Sequence, residues 1–545
     1  MGGLWEPILS GAGQATPLAF VRDDAVEETT GGELVERGLR AAASLRAQGV
    51  ERGTRVALIL LNTPEAVAAL LGVWFAGGTA VSLPTPARGM DPDEYVSQLG
   101  ALCRRVGAEL LLSDAMVSGA VGAGLEGAVR VHDWAGLDRA AALAPEPAPE
   151  DEVVFVQCSS GSTRIPKACM LTARAIAAHN EIIEQLLGGG DPAGHRVASW
   201  MPMSHDMGLF GGVVWPLVRG VPVLLGPPER FALAPLTWFE DVASWEATIT
   251  AGPPSALGLA LRHVRRRGTS ARLDSLVCCF VAAERIEWST LASARDMLAP
   301  NGLRFEALSP GYGLAEATAG VTAIGRDECP SSIAVDARRL ADRELEEVAP
   351  GSDGAVEVVC VGRPPSGVTM RTVEPEGISE IVLSAPSLAS GYCGDPELTA
   401  RRFRDGELHT GDLGFMRDGR LYVVGREDDV LSIAGRKVYA RDVEAEIAAL
   451  DGARRGGCAI VDVPSERETR LVLMLELAGD GADPPVLAAN AARVAARRAG
   501  MPIHECILLE RGALPKTPTG KLQRFRCRQL VQGDDIPAVA RVRLR

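Results

Sequence analysis

The sequence contains few aromatic residues and no apolar stretch long enough to span a bilayer. Aromatic side chains make up 4% of the 545 residues, and no uninterrupted apolar run reaches the roughly 20 residues that a membrane helix needs. The opening residues MGGLWEPILS lack the basic start and apolar core of a signal peptide. Glu6 stands where a myristoylation signal requires Ser or Thr. We therefore expect a cytoplasmic protein with no stable membrane insertion.

The eleven cysteines show no pattern typical of a metal site or a disulfide framework. They include the adjacent pair Cys278 and Cys279, but no CxxC pair and no His/Cys cluster at metal-ligand spacing. Such thiols fit a reducing compartment. A net charge of -14 argues against a nucleic-acid partner, because a polyanion would be repelled. Any anionic ligand must therefore be bound by a local site.

Helix and strand patterns alternate along the first part of the chain. GELVERGLRAAASLRAQGV has helical periodicity, RVALILLN that of a strand, PEAVAALLGVWFAGG that of a helix and TAVSLP that of a strand. The order recurs where VVFVQ precedes TARAIAAHNEIIEQLL, whose Thr172 is a candidate N-cap. This alternation predicts an α/β fold with parallel strands.

The chain is too long for one hydrophobic core, so more than one domain is expected. Residues 355–425 have the pattern of short strands broken by Gly, Pro and Asp. The sequence beyond them has the pattern of a small α+β unit. We predict a large N-terminal domain over residues 1–426 and a small C-terminal domain over residues 427–545.

Residues 157–168, QCSSGSTRIPKA, form a small polar loop between a strand and a helix. Its hydroxyls, its glycine and Lys167 supply backbone N–H groups, O–H donors and one ammonium, which are the groups that bind phosphate oxygens. The spacing is not that of a Walker motif, because Pro166 precedes the lysine and Ala168 follows it. Taken alone, the loop also fits an ordinary polar turn.

Six further motifs follow this loop. They are WMPMSHDMGLFGG (200–212), VAAE (281–284), GYGLAEAT (311–318), ELHTGDLGF (407–415), GREDDVLSIAGRKVYARDVE (425–444) and PKTPTGKLQR (515–524). The ordered set resembles the core motifs of the adenylate-forming superfamily, which includes acyl-CoA synthetases, peptide-synthetase adenylation domains and luciferase. It is most similar to the fatty acyl-AMP ligases, through WMPMSHDMGLFGG, GYGLAEAT and IAGRKVYARDVE.

The resemblance implies an ATP- and Mg2+-dependent enzyme that activates a carboxylic acid. The carboxylate attacks the α-phosphate, which gives acyl-AMP and releases pyrophosphate. Because two anions must meet, positive charge has to screen their repulsion. The implied fold is α/β, with a large N-terminal domain of two α/β subdomains and a small β-barrel-like subdomain, followed by a small mobile α+β C-terminal domain.

The resemblance also implies roles for individual residues. The expected nucleotide contacts are Ser159, Ser160, Gly161, Ser162, Thr163 and Lys167 at the β- and γ-phosphates, Tyr312, Gly313 and Ala283 at the adenine, and Asp412 and Arg426 at the ribose or phosphate. The expected catalytic residues are Lys521, which bridges the carboxylate and the α-phosphate, His205, at the carboxylate end of an acyl tunnel, and Glu316, which holds Mg2+ with Thr318 nearby.

A second half-reaction is implied as well, the transfer of the acyl group to a thiol. The small domain would rotate about a hinge at Asp428 and present the loop over residues 432–436. The acceptor is either the phosphopantetheine arm of an acyl carrier protein or coenzyme A. Residues 331–364 resemble the insertion by which fatty acyl-AMP ligases restrain this rotation, so an acyl carrier protein is the expected partner.

Three residues depart from the family pattern. Arg164 and Ala168 stand where the family has glycine, and Ala440 stands where it has proline. A positive φ at position 164 would cost on the order of 1 kcal/mol. These departures leave open a protein that binds or transfers an acyl-adenylate without making it, although Lys521, Glu316 and Asp412 favour synthesis. The acid itself is not readable, and its tunnel is expected around residues 207–212 and 252–257.

Overall fold

The computed structural model describes residues 4–9, 13–86, 91–158, 166–427, 430–433, 436–464, 469–479, 483–499, 502–516, 522–533 and 536–544. Some residues named above lie outside these described ranges. They are Ser159, Ser160, Gly161, Ser162, Thr163, Arg164, Asp428 and Lys521.

Two large sheets form the first part of the chain. Their strands are β1 (Pro17–Arg22), β2 (Ala25–Thr30), β3 (Arg55–Leu58), β4 (Thr79–Ser82), β5 (Leu110–Ser113), β6 (Arg130–Asp133), β7 (Val153–Cys158), β8 (Ala168–Thr172), β9 (Val197–Ser199), β10 (Val223–Leu225), β11 (Ile249–Gly252), β12 (Cys278–Val281), β13 (Leu308–Gly313) and β14 (Gly320–Ala323). One sheet has the order β6-β5-β3-β4-β7-β8, and the other β14-β13-β12-β11-β9-β10-β1-β2. Neighbours are parallel except β7 with β8, β13 with β14 and β1 with β2.

Antiparallel strands follow. They are β15 (Ser332–Asp336), β16 (Ala355–Val359), β17 (Thr369–Thr372), β18 (Ser379–Ser384), β19 (Phe403–Arg404), β20 (Glu407–Arg417) and β21 (Arg420–Arg426). β15 pairs with β16, and the others form a sheet of order β17-β18-β20-β19 with β21 also on β20. The last strands are β22 (Val430–Ile433), β23 (Arg436–Tyr439), β24 (Ala453–Pro464), β25 (Thr469–Leu477), β26 (Ile503–Leu509) and β27 (Ala538–Arg543).

Helices connect and cover these sheets. They are α1 (Glu6–Leu9), α2 (Gly31–Ala47), α3 (Pro64–Phe75), α4 (Pro92–Val106), α5 (Ala115–Val121), α6 (Ala173–Leu186), a π-helix (Met207–Val214), α7 (Trp215–Arg219), α8 (Pro228–Leu233), α9 (Thr237–Ser244), α10 (Pro254–Arg267), α11 (Trp288–Leu298), α12 (Ala337–Ala341), α13 (Pro396–Arg402), α14 (Ala440–Ile447), α15 (Pro484–Ala499) and α16 (Arg524–Gly533). Within the described ranges, no helix combines the length and the apolar character needed to cross a bilayer.

The sequence of the first part explains its buried architecture. β4 and β5 are buried at every position, as expected for parallel strands covered on both faces. Every residue of α3 except Glu65 is buried, and the helix is capped by Thr63, whose side chain accepts a hydrogen bond from the Ala66 N–H. The Trp74 indole donates to the Val154 carbonyl at 2.9 Å, which fixes α3 against β7.

The observed elements confirm the predicted α/β class with a smaller α+β part at the end of the chain. The predicted strands and helices are present, but the loop at residues 157–168, expected between a strand and a helix, is followed by the strand β8, which runs antiparallel to β7. Helix α6 begins only after β8, at Thr172, which accepts a hydrogen bond from the Ala175 N–H. Residues 143–150 contain neither helix nor strand. The domain boundary between residues 426 and 427 stays a prediction.

The four strands β24 to β27 form a sheet of order β24-β25-β26-β27, covered by helices on both faces. Alternate residues of β24 face opposite ways, so Ile460 packs with α14 and α15 while Val461 packs near α16. A buried ion pair joins α14 and α16 beside β24. Arg524 Nη2 lies 2.7 Å from Glu444 Oε2, Arg524 Nη1 donates to the Ile460 carbonyl at 2.9 Å, and Glu444 Oε1 accepts from the Ile460 N–H at 2.6 Å.

Replacement of Arg524 by Met should destabilise this sheet by about 3–5 kcal/mol, because Glu444 is left as a buried charge without its cation. The matched variant Arg497→Met removes an exposed partner of Glu446 and should change stability by about 0–1 kcal/mol. All eight tryptophans lie at or before position 288, so hydrogen–deuterium exchange of peptides from β24 and β25 is the suitable measurement. Equal opening free energies in the two variants would contradict a buried ion pair.

Candidate active site

Two adjoining cavities lie at the carboxyl ends of the parallel strands, where open α/β sheets bind ligands. The larger has a volume of about 230 Å3 and the smaller about 100 Å3. They share a wall formed by Ala283, Gly311, Tyr312, Gly313 and Arg426. These residues follow β12, end β13 or end β21, so the ends of three strands build the wall.

The structure brings most of the described candidate residues to these cavities. Seven of the candidate residues line the larger cavity, and they are Lys167, His205, Ala283, Tyr312, Gly313, Glu316 and Arg426. Asp412 lines the smaller one. Thr318 lines neither, because its side chain is fully buried and its hydroxyl donates to the Ser387 carbonyl at 2.8 Å.

Asp412 is held by donors from two different sheets. It lies directly opposite Arg426 in the β20–β21 pair, and Arg426 Nε donates to Asp412 Oδ1 at 3.0 Å. From β13, the Tyr312 hydroxyl donates to Asp412 Oδ2 at 2.6 Å. Burial and the Asp412 charge raise the pKa of Tyr312 well above its usual value, so the phenol remains a donor. Each carboxylate oxygen keeps acceptor capacity that a diol could use.

Glu316 is a second buried carboxylate, 8% exposed, in the turn that follows β13. Its Oε1 lies 3.2 Å from Lys167 Nζ and accepts from the Tyr392 hydroxyl at 2.8 Å. Burial raises the pKa of Glu316, but the Lys167 ammonium, the Tyr392 hydroxyl and the Arg426 guanidinium outweigh it and lower the pKa. The larger cavity therefore contains an ionised carboxylate beside a cation.

Tyr392 is a site residue that sequence reasoning missed. It follows β18 in the stretch GYCGDPELT and is bridged to Cys169 on β8, two residues from Lys167. Lys167 Nζ lies 5.3 Å from the centre of the Tyr392 ring, within cation–π distance. Its partners Lys167 and Glu316 lie far from it in the chain, so no local sequence pattern indicated its role.

His205 and Asp206 lie at the start of the π-helix. His205 Nδ1 is 2.7 Å from Asp206 Oδ1, and the Met207 N–H donates to the same oxygen at 2.7 Å. Burial raises the pKa of Asp206, but His205 and the Met207 N–H together lower it below its usual value. Asp206 is therefore an anion that orients the His205 ring. π-Helices of this kind occur frequently at functional sites.

The backbone near the cavity wall adopts conformations that few residue types tolerate. A Cβ atom at Gly313 would lie 2.3 Å from the Ala319 carbonyl oxygen, so only glycine fits where β13 and β14 shift register. Ala283 and Thr318 both have a φ of 73°, and such left-handed non-glycine residues cost of order 1–3 kcal/mol each. Of these two residues, Ala283 lies in the cavity wall, and backbone strain of this kind is often found at functional sites.

The remaining wall of the larger cavity is mostly apolar. The residues that form it include Ile183, Leu186, Leu187, Val197, Met207, Gly211, Gly212, Trp215, Ile249, Ala251 and Phe280. The expected tunnel segment at 207–212 contributes Met207, Gly211 and Gly212. At the other segment the wall is formed by residues 249–251 instead of 252–257, because Gly252 packs against Trp238, 2.6 Å from a Cβ built there.

The wall also contains polar residues, and His179 differs from the threonines at positions 250 and 322 because their hydroxyls are hydrogen-bonded to backbone carbonyls. His179 is 2% exposed, lies on α6 and has no hydrogen-bond partner on either ring nitrogen within the part of the chain that is described. An unpaired buried polar group costs about 1–3 kcal/mol. Among the described residues, no three His, Cys, Asp or Glu side chains group as a metal site.

Comparison with known proteins agrees with this geometry. The profile of the family described as AMP-binding enzyme matches residues 11–393. The medium-chain-fatty-acid–[acyl-carrier-protein] ligase JamA of Moorena producens is 29% identical, over 91% of this chain and 88% of its own. The long-chain-fatty-acid–AMP ligase FadD26 of Mycobacterium marinum is also 29% identical, over 93% and 92%.

A solved structure shares the fold. A chain from a structural study of fatty acyl-adenylate ligases from E. coli and L. pneumophila superposes with a TM-score of 0.90 over 98% of both chains, at 24% identity. The match includes the large first part and the smaller last part of this chain. The profile match over more than half of the sequence shows that this chain belongs to the AMP-binding enzyme family and is an adenylate-forming ligase.

Proposed function

We propose that this enzyme uses ATP and Mg2+ to convert a fatty acid to its acyl-AMP and then transfers the acyl group to the phosphopantetheine thiol of an acyl carrier protein. The single observation that carries the proposal is the convergence of Lys167, Glu316, Tyr312, Asp412 and Arg426 on two adjoining cavities. A nucleoside triphosphate could use all of these groups. The cations can bind its phosphates, one buried carboxylate can hold its metal ion, and the other carboxylate has spare acceptor capacity for its ribose hydroxyls.

The nucleotide would occupy the shared wall of the two cavities. In the proposal, Tyr312, Gly313 and Ala283 contact the adenine, and Asp412 accepts hydrogen bonds from the ribose hydroxyls. Support comes from the fixed orientation of the Asp412 carboxylate, since both of its oxygens already receive a donor. Arg426 lines both cavities, so its guanidinium can reinforce the ribose or phosphate contact.

Glu316 would hold Mg2+ together with phosphate oxygens. Mg2+ is commonly bound by one or two carboxylates plus substrate phosphates and water, and a single ionised carboxylate in the cavity fits that pattern. The ion would supply positive charge that offsets the charge developing on the phosphates. When the nucleotide binds, the Lys167 ammonium is free to exchange its Glu316 contact for a phosphate oxygen.

The acid would enter the apolar arm of the larger cavity with its carboxylate toward His205. Lys521, by the resemblance of its motif, would bring the charge that bridges that carboxylate and the α-phosphate, and the loop from Ser159 to Lys167 would hold the β- and γ-phosphates. The relatives JamA and FadD26 are named for medium-chain and long-chain fatty acids. A fatty acid is accordingly the substrate class that we propose.

Contacts of residues 331–364 support the carrier protein as the acceptor. Arg343 pairs with Glu427 at 2.9 Å, and α12 lies against β23. Glu427 comes just before the proposed hinge at Asp428, and β23 comes after it. Rotation of the small domain, proposed as residues 427–545, would have to disturb these contacts, so the segment would restrain access by free coenzyme A.

Two other functions are alternatives to this proposal. An acyl-CoA synthetase would make the same adenylate but would use coenzyme A as its acceptor. A protein that only binds or transfers an acyl-adenylate, as the replacements Arg164, Ala168 and Ala440 left open, would catalyse no exchange between ATP and pyrophosphate. The experiments below separate all three.

Exchange of labelled pyrophosphate into ATP should depend on added fatty acid. Lys521→Ala should lower kcat by about 100- to 1,000-fold, because a charge aimed at the reacting oxygens is lost. The control Arg497→Ala removes an exposed cation of α15 and should leave the rate unchanged. Acid-independent exchange, or an unaffected Lys521→Ala variant, would contradict the adenylation proposal.

Glu316→Gln should raise the Mg2+ concentration for half-maximal exchange by about 10- to 100-fold, since an amide is a poor ligand for this hard cation. The measurement is a Mg2+ titration at saturating ATP and acid. The control Glu346→Gln alters an exposed carboxylate that pairs with Arg339 and should not move the midpoint. Unchanged Mg2+ dependence in Glu316→Gln would remove this residue from the metal site.

Acyl transfer should be fast to a carrier protein bearing phosphopantetheine, absent with the unmodified carrier and slow with coenzyme A. Arg343→Ala should increase the rate with coenzyme A about 1.5- to 5-fold, which is what loss of an exposed ion pair supports. The control Arg339→Ala breaks pairs with Glu344 and Glu346 inside the same segment and should change nothing. Preference of the wild type for coenzyme A would establish the synthetase alternative.

A further inference from the structure

One face of α6 that lines the larger cavity combines aliphatic residues with a histidine. His179, Ile183 and Leu186 recur at i, i+4 and i+7, so they lie on one side of the helix, and all three line the cavity. Ile183 and Leu186 suit a hydrocarbon chain. The imidazole of His179 does not, because a hydrocarbon offers it neither a donor nor an acceptor.

The surroundings of His179 leave its hydrogen-bonding capacity unused. Phe210 presents its ring 6.2 Å away at a steep angle. The Gly320 backbone lies near enough to oppose the lowering of the His179 pKa, but neither ring nitrogen has a hydrogen-bond partner among the described residues. Burial lowers the pKa of His179 to about 4, against the opposing charge of Asp206. At neutral pH the ring is therefore uncharged and offers one N–H donor and one nitrogen acceptor.

We propose that the acid carries a hydroxyl group that hydrogen-bonds to His179 and that His179 selects for it. The inference rests on the proposed function and narrows its substrate class to hydroxylated acids. A hydroxyl both donates and accepts, so it can pair with either nitrogen of a neutral imidazole. An unsubstituted chain would leave both nitrogens unpaired and desolvated, and sites built around a substrate hydroxyl reject analogues that lack it.

The nucleotide is a poor candidate for the missing partner. The described residues proposed to bind it, such as Lys167, Glu316 and Asp412, lie on other elements, and none belongs to α6. Beyond His179, the cavity residues of α6 are aliphatic. The position of His179 therefore belongs to the part of the cavity that suits the acyl chain.

The test compares dodecanoic acid with its series of monohydroxylated isomers, and phenylalkanoic acids with their hydroxyphenyl counterparts, in ATP–pyrophosphate exchange. We expect kcat/KM to favour one hydroxylated acid over its parent by about 10- to 100-fold. His179→Leu should abolish that preference and leave the KM for ATP unchanged. His179→Gln, which keeps a donor and an acceptor, should retain part of the preference.

Asn180→Leu is the matched control. Asn180 is the next residue of α6, is also 2% exposed and has an Oδ1 atom without a partner among the described residues, but it does not line the cavity. This variant should keep the wild-type preference. A wild type that favours no hydroxylated acid, or a preference that survives in His179→Leu, would overturn the proposal. A raised KM for ATP in His179→Leu with every acid would also overturn it.

Calorimetry separates this proposal from the adenylation proposal on which it rests. Acyl-sulfamoyl adenosines with and without the hydroxyl bind without any chemical step, so their relative affinities report on His179 even if no acid supports exchange. Tighter binding of the hydroxylated analogue to wild type but not to His179→Leu is expected. Equal affinities of the two analogues for wild type would overturn the role of His179, whatever the exchange experiment shows.

Discussion

A buried carboxylate that must stay charged constrains the arrangement of the larger cavity. Glu316 is 8% exposed and retains its charge because Lys167 and Tyr392 lie within hydrogen-bonding distance and the Arg426 charge adds to their effect. Lys167 precedes β8 of one sheet, Glu316 follows β13 of another, and Tyr392 follows β18 of the third. The compensation of one charge thus fixes how three sheets meet, and it keeps a cation where phosphate would bind.

Asp412, at the second cavity, is likewise a buried carboxylate held by donors from different strands. The direct pairing of β20 with β21 places Arg426 opposite it, and Tyr312 reaches it from β13. Both oxygens are occupied by donors before any ligand arrives, so the carboxylate has one orientation. The tight approach at Gly313 allows β13 to end beside this cluster. The two acidic groups therefore share the β13 end as a common support, which explains why their cavities adjoin.

The small last part of the chain is organised differently. Its sheet is held by aliphatic packing on both faces and by the Glu444–Arg524 pair beside β24. Arg343 and Glu427 link residues 331–364 to the chain at the proposed hinge. Because that pair is exposed, it is weak, and a few such contacts can bias a rotation without preventing it.

The hydrophobic periodicity of the sequence determined the α/β class, the smaller last part and the N-cap at Thr172. The order of its motifs determined four candidate residues that the structure brings to the cavities, which are Lys167, Glu316, Tyr312 and Asp412. These features are readable because each depends on residues close together in the chain. Tyr392 and His179 were not found, and Thr318 was expected in the cavity but lies outside it. The groups around these three side chains come from distant parts of the chain, so only the packing of the sheets and helices against one another decides what each side chain contacts.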